Sequence, residues 1–320
     1  MALLYRFVKL NDRANTNVFT FVVTKSVTRD LHRDVTSKEF NCGYQKWAIT
    51  FSRSEKLLGV YLVWRNPSGG NRVYVDFGFT IMNRDHFSTN ESFVGKQIKF
   101  TADLPAQGNR KFITISDLYN RNFMDENGEF QLELAMNNIR TVYETELKIP
   151  SSIYSPNSKP QKLETSFFNF GCYDWNILIH PNTKDTVDGK VSVMLQRLTG
   201  FDHQCHVKYN IVIGEGDRRV DSGIIDDISD TEGKGYAWHP RSRLQDLVCR
   251  GTLKLHMEMI LANTCCEVLI SPSNHHVNAT GNCFDRDMQS WFIEADANGQ
   301  HLRLRLVYKD INNVPRNHLR

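Results

Sequence analysis

The stretch MQSWFIEADANGQHLRLRLVYK (288–309) holds a tryptophan, a short apolar strand, a polar turn and a second strand. Two earlier stretches have the same parts in the same order. They are GYQKWAITFSRSEKLLGVYLVW (43–64) and CYDWNILIHPNTKDTVDGKVSVMLQRL (172–198). Their tryptophans, Trp47, Trp175 and Trp291, lie 128 and 116 residues apart. That spacing is too long for a solenoid repeat and suits a small domain. The chain therefore reads as tandem domains of one kind.

Unit one shows the pattern most fully. NVFTFVVT (17–24) alternates as a strand does, and KWAITF (46–51) and LLGVYLVW (57–64) form a hairpin around SRSEK. In RVYVDFGFTIMN (72–83), Val73, Val75, Phe77, Phe79 and Ile81 share one face, because side chains alternate with period two. SFVGKQIKFTADL (92–104) predicts another strand, KFITISDLYN (111–120) a short irregular or helical piece, and EFQLELAMN (129–137) a last strand. Helical periodicity is almost absent. Short alternating strands separated by turn signals predict an all-β fold, with an antiparallel β-sandwich of seven to eight strands in each unit.

Unit two repeats the order with FFNFGCYDWNILI, KVSVMLQRL, HVKYNIVIG and GTLKLHMEMIL. The proline- and serine-rich KIPSSIYSPNSKPQK (148–162) reads as a linker. The expected domains are a first sandwich over 1–147, the linker 148–162, a second sandwich over 163–272, and an incomplete third unit over 273–320. So short a unit cannot close a sandwich by itself. Three explanations stay open: the chain is cut from a longer repeat protein, the hairpin packs on unit two as an added edge, or it pairs between chains.

In their order, FNCGYQKWAITF, LLGVYLVW, VDFGFTIMN, GNRKFITISDL and DENGEFQLELAM resemble a MATH domain, the meprin and TRAF homology sandwich. The resemblance covers about 16–140 and, less closely, 165–262. It implies an adaptor that captures extended segments of partner proteins along a sheet edge, in ubiquitin-ligase substrate recruitment or signalling. Mapped onto the family's aromatic groove, the peptide-binding positions of unit one are Tyr61, Phe77, Ile98, Gly108 and Asn109. In unit two they are Met194, Val207 and Tyr236, with Lys234-Gly235-Tyr236 at the loop that corresponds to Gln107-Gly108-Asn109. The apolar residues that flank the loop glycine in speckle-type adaptors are polar in unit one, so the usual apolar-then-serine specificity is not expected. Fold alone does not give function.

The resemblance implies a non-enzymatic protein, and the totals are those of an ordinary globular chain. The chain is 40% hydrophobic and 23% charged, with a formal charge of +3 and no basic run that would track a nucleic-acid backbone. No apolar run is long enough for a membrane span, and the first residues do not read as a signal peptide. The seven scattered cysteines suit a reducing compartment, so the expected location is the cytoplasm, with the nucleus as the alternative. No cofactor is expected. Cys265-Cys266 and His275-His276 lack metal-ligand spacing, and GEGDRR (214–219) lacks the Gly-Lys-Ser/Thr ending of a phosphate loop. The three tryptophans read as core. Cys205 and His206 point to opposite faces of one strand, which disfavours a cysteine hydrolase. The rival from a different class is a scaffold that self-associates through its sandwiches and its third unit, which leaves homo-oligomerisation open.

Overall fold

A computed structural model describes residues 3–6, 17–29, 34–154, 162–181, 190–201, 203–229, 235–265, 276–278, 283–285, 288–298 and 301–309. The first unit runs through β1 (Leu3–Arg6), β2 (Asn17–Val23), β3 (Val35–Thr36), β4 (Phe40–Cys42), β5 (Gln45–Ser54), β6 (Leu57–Trp64), β7 (Asn71–Ile81), β8 (Glu91–Thr101), β9 (Ala106–Thr114) and β10 (Phe130–Lys148). One layer is β3 and β4 on β5, then β6, then β9. The other is β1, β2, β10, β7 and β8. All the pairings with a defined register are antiparallel. The fold is all-β, an antiparallel sandwich.

Alternation explains the layers. The β5–β6 hairpin turns on two residues, with Glu55 at φ +57°. Its inner face carries Trp47, Ile49, Phe51, Leu58, Leu62 and Trp64, all at most 1% exposed. Opposite them lie Phe19 and Phe21 of β2, Leu132 and Leu134 of β10, and the β7 residues Val73, Val75, Phe77 and Phe79. Each such side chain contributes roughly 1.5–3 kcal/mol when it leaves water.

The second unit follows with β11 (Leu163–Glu164), β12 (Phe168–Phe170), β13 (Tyr173–His180), β14 (Ser192–Arg197), β15 (Gln204–Ile213), β16 (Val220–Ser229), β17 (Tyr236–Trp238) and β18 (Thr252–Cys265). Strands β11 and β12 flank β13, which pairs β14, which pairs β17. The opposite layer places β15 between β18 and β16. The third part holds β19 (His276–Asn278), β20 (Cys283–Phe284), β21 (Ser290–Asn298) and β22 (His301–Tyr308), with β21 paired to the other three.

The three-fold repeat is visible in register. Trp47 faces Phe40 and Trp64; Trp175 faces Phe168 and Arg197; Trp291 faces Cys283 and Tyr308. The indole N–H of Trp47 donates to Cys42 O and that of Trp175 to Phe170 O, each at 3.0 Å. Trp291 instead donates to the Asp285 carboxylate at 2.9 Å. Trp47 and Trp175 are fully buried, whereas Trp291 is half-buried, so the core reading fits the third tryptophan less well.

Some boundaries differ from the expected ones. KFITISDLYN splits into the end of β9 and a helix, Ile115–Asn120, capped by the Thr114 side chain. Strand β10 does not end near 137 but runs to Lys148. Its stretch Phe130–Met136 pairs β2, and Thr141–Lys148 pairs β18. The compact units are accordingly Met1–Pro67 with Arg72–Arg140, and Ser68–Asn71 with Thr141–Arg320. The division therefore falls before the expected 147, and the third part groups with the second unit. Ser68–Asn71 belongs there because Glu144 N donates to Gly70 O and Asn71 Nδ2 to Asn169 O. Of the expected linker, 155–161 lies outside the described residues.

Candidate peptide-binding edge

Two strands of the first unit end their layers. Among the described residues β8 pairs only β7, and β9 pairs only β6. A turn joins them, closed by Leu104 N to Thr101 O at 3.1 Å. The Gln107 side chain then donates to Lys99 O at 3.2 Å, tying the start of β9 to β8. An edge strand of this kind presents backbone groups that a further strand can pair.

Tyr61 sits on the outer face of β6, half-buried, between Thr50 of β5 and Gly108 of β9. Gly108 is required by close approach. A Cβ there would lie 2.1 Å from Val60 O and 2.7 Å from Tyr61 Cα. Asn109 is half-buried opposite Val60, and its Oδ1 accepts the Lys111 N–H at 2.9 Å. Ile98 of β8 is half-buried against the core with Phe93. Tyr61, Ile98, Gly108 and Asn109 thus flank the β8–β9 edge.

Phe77 does not join them. It is 2% exposed, with its ring 5.5 Å from Phe79 and 6.0 Å from Phe93. The period-two face it shares with Val75 and Phe79 commits it to the core. Packed there, it offers no surface to a ligand.

Strand β8 carries a bulge beside Ile98. Its register with β7 shifts between Val75 and Phe77, and Gln97 sits at φ +50°. The Asp76 carboxylate holds the bulge, accepting from Asn138 Nδ2 at 2.7 Å and from the Gln97 N–H. The Asn138 bond, the Gln97 backbone bond and nearby Lys96 hold Asp76 below the usual carboxylate range.

Unit two corrects two of its three expected groove positions. Counting from the tryptophan, Met194 does occupy the Tyr61 position, half-buried on the outer face between Leu178 and Ala237. Val207, however, is fully buried in the core. Tyr236 is also core, 2% exposed, its hydroxyl donating to Cys205 O at 2.6 Å. It faces Leu195, so it matches Gln107 rather than Asn109, and Ala237 takes the Gly108 place. A slip of one residue moves a side chain to the other face. Arg197 stands where unit one has Trp64. It is fully buried, its guanidinium 5.2 Å from the Tyr173 ring and donating to His203 O at 2.8 Å. Aligning VYLVW with VMLQR would have found it.

Burial pushes the Cys205 thiol up to about 11, although Arg197 works against the shift. His206 lies on the opposite face against Asp226 and Lys208 belongs to the same group, so Cys205 and His206 form no nucleophile–base pair. Among the described residues no three His, Cys, Asp or Glu side chains are grouped to hold a metal. Cys266 and His275 lie outside those residues. Gly214–Arg219 forms a tight turn between β15 and β16. No helix among the described residues is long and apolar enough to cross a membrane.

No family model matches the chain, and no curated protein matches it. Among solved structures, it is similar at 10% identity to the N-terminal CBM22-1–CBM22-2 tandem domain of Xyn10C from Paenibacillus barcinonensis. That similarity covers 81% of this chain and 97% of the other with a TM-score of 0.16, which carries no inference about fold or ligand.

Proposed function

We propose that the protein is a non-enzymatic, MATH-like interaction module that captures an extended segment of a partner protein at the β8–β9 edge of unit one. The carrying observation is that a strand edge, a half-buried aromatic on the outer face and a side-chain-free position coincide at Tyr61 and Gly108. Backbone pairing supplies affinity there, and Tyr61, Ile98 and Asn109 supply selectivity. Unit two, with core residues at two of its three groove positions, is the weaker binder. A cytoplasmic or nuclear setting rests on the scattered cysteines and the first residues, and a link to ubiquitin-ligase recruitment or signalling on the resemblance alone. The test is selection of random peptides on the full chain, followed by amide exchange. A selected peptide is expected to slow exchange in β9, and Tyr61→Ala to weaken it about tenfold with an unchanged melting temperature. Peptides that leave β9 exchange untouched would sink the reading.

A second reading is favoured by a different observation. Leu302, Leu304 and Leu306 of β22 are 57%, 61% and 65% exposed, whereas their register equivalents Leu58, Val60 and Leu62 are fully buried. A hairpin face that lacks its covering layer suits a scaffold that self-associates through the third unit. Light scattering on the full chain separates the two: a monomer at all concentrations excludes the scaffold.

A further inference from the structure

The edge of unit one has a charge that the capture reading leaves unused. Between Val94 and Lys111 stand four cations, Lys96, Lys99, Arg110 and Lys111, and one carboxylate, Asp103. These eighteen residues carry +3, as much as the whole 320-residue chain. All four cations are exposed. Among the described residues none forms a close ion pair of the kind Arg65 makes with Glu39 or Arg121 with Glu91, although Lys96 lies near enough to Asp76 to favour its charged form. Lys96 and Lys99 lie on β8 and Arg110 and Lys111 on β9, the two edge strands that the turn joins. Strand β8 also carries the half-buried Phe93 and Ile98, and Val94 is 68% exposed.

We propose that the captured segment is acidic, an extended stretch alternating apolar residues with Asp or Glu; this rests on the capture reading above. Apolar side chains of such a strand would meet Tyr61, Phe93 and Ile98, and its carboxylates would meet the lysines. Rim charges of this sort govern partner choice and encounter rate.

The second unit shows that the fold does not dictate the sign. Its edge strand β16, paired only with β15 among the described residues, carries Asp221, Asp226 and Asp227 and no Lys or Arg. The same kind of edge is thus acidic in one unit and basic in the other. Asp226 is paired with Lys208 and His206, so the contrast rests on Asp221 and Asp227, and an acidic segment is favoured at unit one over unit two.

The experiment is the peptide selection on the full chain, read by composition and repeated on Lys96→Glu/Lys99→Glu/Lys111→Glu. These side chains are exposed, and an unchanged melting temperature confirms that the variant folds. Acidic peptides are expected to dominate, to lose about tenfold or more in affinity on the variant, and to weaken with added salt. Neutral or basic peptides that still protect β9 overturn the acidic assignment and leave capture standing. Peptides that never protect β9 overturn both. Equal displacement by a single-stranded oligonucleotide of the same charge also overturns it, because the edge would then read charge density rather than a strand.

Discussion

Tyr61 faces Gly108 across β6 and β9, and a methyl group on Gly108 would stand 2.1 Å from the Val60 carbonyl oxygen. The obstacle is backbone, so no rotamer change relieves it. Gly108→Ala is expected to push β9 away from β6 and cost about 1–3 kcal/mol. Urea denaturation measures this. It should also weaken capture, because the edge moves with the strand. An unchanged urea midpoint would show that β9 sits less tightly than described.

The tryptophans should divide two against one. Trp47 and Trp175 are fully buried, and each indole satisfies a carbonyl five residues upstream. Alanine at either is expected to cost about 3–5 kcal/mol. Trp291 is half-buried and bonded to a side chain, so Trp291→Ala should cost clearly less. Thermal melts of the three variants give the order. Equal costs would mean that the third hairpin is packed as tightly as the others.

Strand alternation was legible because burial follows it closely. The pattern of β7 is buried at every odd residue from Asn71 to Ile81. The same alternation places Phe77 in the core, against the groove role that the family resemblance implies. The length of β10 was hidden by Asn137-Asn138, which reads as a turn; Asn138 adopts φ +50° and the strand continues. Tyr236 was misassigned because the preceding loop has no periodic pattern to fix register. The basic edge was hidden as a unit, since Lys96 and Lys111 are fifteen residues apart and lie on two edge strands joined by one turn.

The bulge beside Ile98 should fail in acid. Asp76 titrates below the ordinary carboxylate value because Asn138, the Gln97 N–H and Lys96 favour its charged form. A depressed folded pKa gives stability that is present above the unfolded value, about 3.9, and lost as pH falls through the folded value. Asp76→Asn should therefore be less stable than the wild type at pH 7, and the difference should close as pH drops below the carboxylate range. Melting temperatures across pH decide it. A gap that persists in strong acid would assign the loss to packing instead.

Cysteine reactivity should follow burial. Cys205 is buried with its thiol pushed up to about 11, and Cys42 is also buried, whereas Cys172 is exposed. Since the thiolate is the nucleophile, iodoacetamide near pH 7.5 should modify Cys172 well before Cys205 or Cys42. Peptide mapping reads the order. Rapid labelling of Cys205 in the folded protein would contradict its burial and revive the hydrolase.

Lysine substitution should have opposite consequences at equivalent positions of two hairpins. Leu58, Val60 and Leu62 lie under the opposing layer of their sandwich, fully buried. A lysine at any of them leaves a charge in the core and should unfold unit one. Leu302, Leu304 and Leu306 occupy the same places in β22 but are more than half exposed. Replacing all three with lysine should leave circular dichroism and the melting temperature nearly unchanged. If the leucines meet a second copy, the substitution should also abolish concentration-dependent association in light scattering. If it instead unfolds the third hairpin, the leucines are covered within the chain, and the self-associating scaffold loses its supporting observation.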